Sequence, residues 1–345
     1  MTTEPAAGPT PLIEARGLTR HFRVGGVLGH KTLHAVDDVN FSIGEREIVA
    51  LVGESGSGKS TVARLLARVY KPTAGEIYYQ GRPLSRFRSR KELLAYRSDV
   101  PMVFQDPFAS LNPAYRVSHG ILRGMALHRP DIPRDRRREE AERIVASLGL
   151  DPAGDVLDRY PYELSGGQRQ RIGFAQALAY RPRLIVADEP VSMLDVSVRI
   201  GLLNLMVQLR DERGVSVLYI THDIASARYV ADRVMVMYAG HLAEAGPVEE
   251  VLQRPLHPYT RLLLDAVPDP RAPLPAEQSA EPGEPPRVVD PSPGCRFRWR
   301  CPLAVDVCEQ VTPELVQLRP QHGAACHVAA ANLGVAAQAR TTNGG

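Results

Sequence analysis

The sequence predicts an α/β fold with a helical insertion and a small cysteine-bearing C-terminal appendix. Three observations carry that prediction. Short apolar runs alternate with stretches of helical periodicity, the pattern of a sheet covered by helices. A glycine-rich loop, Gly53-Glu54-Ser55-Gly56-Ser57-Gly58-Lys59-Ser60, follows one such run and opens a helix. A second run, 184–187, is continuously apolar, as strands buried on both faces are, and ends in Asp188-Glu189.

The elements follow in order. Residues 1–10 are polar and read as disordered, with no apolar core of a signal peptide. Runs 12–15, 35–43 and 47–52 read as strands, and a helix over 59–70 follows the loop. Runs 75–80 and 100–105 again read as strands. From 113 to 180 the pattern is helical, with Ile144, Val145 and Leu148 on one stripe. Ser165 stands where an N-cap belongs, opening a helix to about residue 180. A helix over 197–210 is closed by Gly214, and 215–220 is another buried strand. Runs 234–238 and 241–245 form a hairpin through Ala239-Gly240. These limits give a main domain at 11–265, with its helical part at about 106–180. Residues 266–293, rich in Pro, Glu and Ala, read as a linker. A cysteine-rich element at 294–330 and a disordered tail at 331–345 complete the chain.

Composition excludes some function classes. The 345 residues are 44% hydrophobic and 23% charged, ordinary for a globular protein, and the net charge is only +3. That balance does not support nucleic-acid binding. The basic run 134–138 meets Glu139, Glu140 and Glu142 at once and reads as a solvated helix face. No apolar stretch approaches the ~20 residues that span a bilayer, so a cytosolic location is expected and any membrane role needs partners. All four cysteines, Cys295, Cys301, Cys308 and Cys326, lie in the tail. Cytosolic thiols are kept reduced, so this clustering favours a metal or cluster site over disulfides.

The loop Gly53-x4-Gly58-Lys59-Ser60 sits in the strand–loop–helix context that a phosphate loop requires. Its glycines let backbone N–H groups curl around phosphate oxygens, and the helix N-terminus adds partial positive charge. Lys59 supplies a point charge, and the Ser60 hydroxyl is placed to ligate Mg²⁺. Asp188, closing a buried strand, is suited to hold Mg²⁺, and Glu189 to polarise an attacking water.

Between these motifs stands Leu164-Ser165-Gly166-Gly167-Gln168, a second surface of hydroxyl and bare N–H groups at a helix start. Together the motifs resemble the ATP-binding cassette family over residues 12–265. The resemblance implies a phosphate-loop ATPase core with an antiparallel β-subdomain and a helical subdomain. It implies ATP and Mg²⁺ as ligands, with Thr61 beside Ser60 in the nucleotide site. Gln105 is similar to the glutamine that senses Mg²⁺ and touches the membrane partner. His222, in Thr221-His222-Asp223, resembles the switch histidine, and Asp195 the aspartate of the dimer interface. Phe22 resembles the aromatic that stacks on adenine, where Tyr is commoner; an ordinary buried strand aromatic is the other reading. In this family the signature serves an ATP held by a second cassette. Gln176, where Arg is common, and Met193, where a small residue is, depart from the pattern.

Finer likeness points to a branch. Gln105-Asp106-Pro107-Phe108-Ala109-Ser110-Leu111-Asn112-Pro113 resembles the extended loop of oligopeptide and dipeptide importers. Tyr160-Pro161-Tyr162-Glu163 and His257-Pro258-Tyr259-Thr260-Arg261, with Val267-Pro268 beyond, fit the same branch. The longer hairpin between Phe22 and Leu33 resembles the second ATPase subunit of such importers. The branch implies a sister ATPase forming a heterodimer, two membrane permease subunits and an extracytoplasmic peptide-binding protein. It also implies a place on the cytoplasmic face of the membrane. Some relatives hold an iron–sulfur cluster in the tail, and Cys295, Cys301, Cys308 and Cys326 would suit a four-iron cluster. Reduced thiols packed in a small fold, or zinc, are the alternatives. The spacings of five, six and seventeen residues lack the close Cys pairs of zinc sites. An importer of another small solute such as nickel, or a soluble cassette without membrane partners, stays open.

Overall fold

A computed structural model describes residues 10–25, 31–106, 111–266 and 288–335. The strands are β1 (Ile13–Val24), β2 (Lys31–Ile43), β3 (Ile48–Val52), β4 (Ala74–Tyr79), β5 (Arg82–Pro83), β6 (Met102–Val103), β7 (Leu184–Asp188), β8 (Ser216–Thr221), β9 (Arg233–Tyr238), β10 (His241–Pro247), β11 (Val316–Arg319) and β12 (His322–Ala324). The α-helices are α1 (Lys59–Leu66), α2 (Arg90–Asp99), α3 (Val117–His128), α4 (Arg137–Ser147), α5 (Ala153–Asp158), α6 (Gly166–Leu178), α7 (Val196–Arg213), α8 (Ile224–Val230), α9 (Val248–Gln253), α10 (Pro258–Asp265), α11 (Val307–Gln310) and α12 (His327–Asn332).

Two sheets result. One is antiparallel, in the order β2-β1-β4-β5; the other is mixed, in the order β11-β12-β10-β9-β3-β8-β7-β6. The centre of the large sheet is parallel, with Ile48 opposite Val217 and Leu184 opposite Ser216. The interiors of these strands are apolar because both faces are covered. Ile48, Ala50 and Val52 face the core shared with Phe174, Ile121 and Val145 of the helical part. Val49 and Leu51 face the opposite core, with Leu65 of α1 and Ile13 of the antiparallel sheet. Val217 and Tyr219, against Leu218 and Ile220, divide in the same way. That alternation is the period of two that a strand imposes.

Several limits differ from the sequence reading. The helix expected over 59–70 stops at Leu66, since Arg68 turns to φ 56. The strand expected over 100–105 pairs only at Met102 and Val103, against β7 at the sheet edge. Helix α2 was not anticipated, although Ser89 and Glu92 form a full capping box at its start. Ser165 caps α6 as expected, accepting from Gln168 N, while Gln168 Oε1 accepts from Ser165 N at 2.9 Å. Gly214 closes α7 in the left-handed region, φ 67.

The C-terminal element is no separate appendix. Strand β12 pairs antiparallel with β10, Glu244 opposite Ala324, and so extends the main sheet. The buried Glu244 carboxylate fastens this join: it accepts from Leu256 N and His257 N at 2.8 and 2.9 Å and lies 2.6 Å from His322 Nε2. Of the stretch expected as a linker, 267–287 lies outside the described residues. Past it, His34 N donates to Val288 O at 2.8 Å, and Val289 bridges Leu33. Helix α12 runs to Asn332, into the start of the expected tail. The expected hairpin tip at 26–30 and the ends at 1–9 and 336–345 also lie outside the described residues.

His257 caps α10 through Nδ1, which accepts from Tyr259 N at 3.0 Å. Burial holds its imidazole at about 4, below the ordinary 6.5. The folded chain therefore keeps this ring neutral where the unfolded chain protonates it. The stability this confers is full above the unfolded value and is lost as pH falls toward 4, by at most roughly 3 kcal/mol. Urea midpoints are expected to decline across that window, and less steeply in His257→Gln; equal slopes would remove His257 as the cause.

Candidate nucleotide-binding site

The site is built where β3 gives way to α1. Five apolar residues end at Val52, and the chain then loops through 53–58 into Lys59. Two glycines make the loop possible. A Cβ at Gly53 (φ 154) would lie 2.1 Å from Met237 O, and one at Gly58 (φ 110) 2.2 Å from Ala35 O. The loop is thus pressed between β9 and β2, and a side chain at either position would force the sheets apart.

Lys59 is buried and donates to Gly53 O at 2.7 Å and Glu54 O at 2.8 Å. Burial lowers its ammonium from the usual lysine range, against the pull of Glu189, Asp188 and Glu54. Ser60 Oγ donates to Asp188 Oδ1 at 3.1 Å. Burial raises the Asp188 carboxyl, and neighbouring Glu189 adds to the rise, while the Ser60 bond opposes it. A hydroxyl and a carboxylate in contact, with Gln105 nearby, form the hard oxygen set that Mg²⁺ takes.

Strand pairing brings the remaining chemistry in. Asp188 ends β7 opposite Ile220 of β8, so Glu189 and His222 leave adjacent strand ends beside the loop. Glu189 adopts φ 45, the left-handed region, fixed by its N–H donating to Ile220 O at 2.9 Å. A non-glycine residue held there costs on the order of 1–3 kcal/mol, a cost typical of functional positions. Gln105 Nε2 donates to Glu189 Oε2 at 3.1 Å, and His222 Nδ1 lies 3.3 Å from the same oxygen.

One cleft collects these groups. Glu54, Ser55, Gly56, Gly58, Lys59, Ser60 and Thr61 form its floor; Gln105, Glu189 and His222 stand at one side. Gly53 and Ser57 do not line the cleft. Phe22, Val24, Leu33, Val288 and Val289 form an apolar wall. Phe22 meets Tyr70 edge-on at 5.4 Å and carries the Arg20 guanidinium at 4.5 Å.

The signature lies elsewhere. None of Leu164, Ser165, Gly166, Gly167, Gln168 or Asp195 is among the described residues of that cleft. Gly167 packs so closely on α7 that a Cβ would meet Val198 Cγ1 at 2.3 Å. Asp195 stands at the start of α7, beside the exposed Met193 and Val196. Gln176 lies against Gly120, where a Cβ would touch its Nε2 at 2.2 Å, so this departure fills a packing position. Residues 107–110 of the extended loop lie outside the described residues.

Sequence reasoning missed Val24 and Leu33 of the wall, and contributors from farther along the chain. Val288 and Val289 reach the wall from beyond the expected linker. Tyr259 Oη accepts from Glu54 N at 2.9 Å, and Arg300 grips the Glu54 carboxylate. Only Tyr259 lay in a motif, His-Pro-Tyr, that could have drawn notice.

In the tail, the four cysteines are near enough to act on one another. Burial pushes the Cys295 thiol up to about 11, and Cys308, Cys326 and Cys301 add to the rise. Burial likewise raises Cys301 and Cys326. Among the described residues, the one group of three possible ligands whose atoms lie within 4.8 Å of one another is His21, His34 and Asp37. No three of the described thiols bring their sulfurs within 4.8 Å of one another. At His21 and His34, Arg296 already occupies Asp37, leaving little for a cation.

The comparisons agree with this geometry. Residues 36–192 match the ABC transporter family and 243–308 the oligopeptide/dipeptide transporter C-terminal region. The oligopeptide transport ATP-binding protein AppF of Bacillus subtilis is 42% identical over 328 residues, covering 94% of this chain and 99% of its own. A dimeric post-hydrolysis structure of the ATP-binding cassette MJ0796 bound to ADP and Pi is 29% identical, with TM-score 0.61, covering 68% of this chain and 98% of that one. CbiO1 of Clostridium perfringens, part of the ABC transporter complex cbiONQ, is 26% identical with TM-score 0.60, covering 71% and 92%. The chain belongs to the ABC transporter family, as an ATPase cassette that carries the oligopeptide/dipeptide transporter C-terminal region.

Proposed function

We propose that this chain is the ATP-hydrolysing motor subunit of a peptide importer. The observation that carries the reading is the convergence of Lys59, Ser60, Gln105, Glu189 and His222 on one cleft, with Asp188 bonded to Ser60 at its edge, in a chain with the peptide-transporter C-terminal region. Lys59 and the loop amides bind the phosphates; Ser60, Asp188 and Gln105 would hold Mg²⁺, which would neutralise phosphate charge. Glu189 polarises water, oriented by Gln105, and His222 bridges it to the γ-phosphate. Phe22 and the apolar wall receive adenine. Ser165, Gly166 and Gly167, remote from the cleft, serve the ATP of a sister cassette, with Asp195 at that interface.

No described helix is long and apolar enough to cross a membrane, so passage belongs to separate permease subunits. We place the chain against their cytoplasmic side, in a heterodimer with the sister cassette, fed by an extracytoplasmic binding protein. On their number and sequence spacing, the four cysteines are assigned to a [4Fe-4S] cluster. Tagged full-length chain is expected to co-purify from its native membranes with two permeases and a second cassette. Purified without oxygen, it is expected to hold about four irons with matching sulfide. Recovery with ribosomes or DNA and no integral membrane protein would overturn the importer reading. Absence of both iron and sulfide would sink the cluster alone.

A further inference from the structure

We propose that Arg300, from the cysteine-rich element, is a positioning residue that sets the charge and shape of the phosphate loop. The proposal deepens the ATP-site reading and rests on it. Arg300 donates through Nη1 and Nη2 to the two oxygens of Glu54, both at 2.8 Å, across 246 residues of chain. The pair is well shielded, with side chains 11% and 24% exposed. Arg300 also lies over the Tyr238 ring at 5.7 Å.

Glu54 is the second residue of the loop, and three groups hold it. Tyr259 takes its N–H, Lys59 donates to its carbonyl, and Arg300 takes its carboxylate. One turn earlier, Arg296 donates to Ala239 O and to the Asp37 carboxylate. The neighbouring Gly240 N donates to Ser57 O at 2.8 Å, so this second arm also reaches the loop. A short segment ending at Cys301 therefore holds the loop directly at Glu54 and, at one remove, the Ala239-Gly240 turn that bonds Ser57.

The physical consequence concerns charge. A loop that receives a polyanion carries a carboxylate of its own. Unpaired, that carboxylate repels each phosphate; paired in a bidentate fork, its field is largely cancelled and the loop backbone is fixed. Arg300 acts through Glu54 and does not touch nucleotide itself. Its loss should weaken ligands in proportion to their charge.

The test titrates full-length chain with ATPγS and with AMP in excess Mg²⁺. Arg300→Ala is expected to raise the Kd for ATPγS about tenfold or more, with a smaller change for AMP. Arg300→Lys, which keeps the charge and loses the fork, falls between. In Arg300→Ala/Glu54→Gln the unpaired charge is gone, and most of the affinity returns. An Arg300→Ala Kd within twofold of wild type, or a double variant as weak as the single, overturns the proposal. If the wild-type chain itself failed to bind ATPγS, the ATP-site reading would fail first, so the two failures are distinguishable.

Discussion

Glu189→Gln is expected to leave ATP binding intact and to lower turnover roughly 10²–10⁴-fold, the usual worth of a general base. The change is isosteric. An amide can still meet His222 Nδ1, 3.3 Å from Glu189 Oε2 in the native chain, and it keeps the backbone bond to Ile220. It cannot take a proton from water. The strained φ of 45 is a property of the backbone and is unaltered. Bound ATP should then persist and hold cassettes together. Phosphate release and size exclusion in the presence of ATP measure both effects. A variant that hydrolyses at the native rate would move the base elsewhere, His222 being the next candidate.

Lys59→Ala should act earlier in the cycle, on binding. Its ammonium is buried at 4% exposure beside three acids, Glu54, Asp188 and Glu189. At about 4 Å and an effective dielectric near 20, one unit charge is worth roughly 4 kcal/mol to a phosphate oxygen. About a thousandfold loss of ATP affinity follows from that figure. Removal also takes one cation from beside the Asp188 and Glu189 carboxylates, which disfavours a second source of negative charge. Equilibrium binding of ATPγS reads the effect, with circular dichroism to establish folding. Retained micromolar binding would show that the loop amides suffice.

Much of this was legible because its signals are local. The parallel strands announce themselves through runs such as Ile48–Val52 and 184–187, apolar at every position because both faces are buried. The phosphate loop states its geometry through glycines that two backbone carbonyls require. Gln105, Glu189 and His222 were expected together only through family likeness, since nothing local makes residues 84 apart meet. The Arg300–Glu54 pair had neither signal: an arginine in a tail and a glutamate in a loop are common separately. Strands β11 and β12 were invisible because three or four residues hold too little pattern, and their existence depends on the waiting edge of β10. The shortened strand at Met102–Val103 failed in the other direction. An apolar run promised more pairing than a sheet edge with one neighbour supplies.

That waiting edge has a consequence for synthesis. Glu244 on β10 and His322, which opens β12, are 78 residues apart in the chain. At the usual 5–20 residues per second, a ribosome takes about 4–16 s to make the intervening chain. Through that interval the β10 backbone has no outer neighbour. A nascent cassette is therefore open to edge-to-edge pairing with other chains for longer than most of its helices take to form. The final strands act as a seal applied last, so premature termination before residue 316 would cost solubility before it cost catalysis.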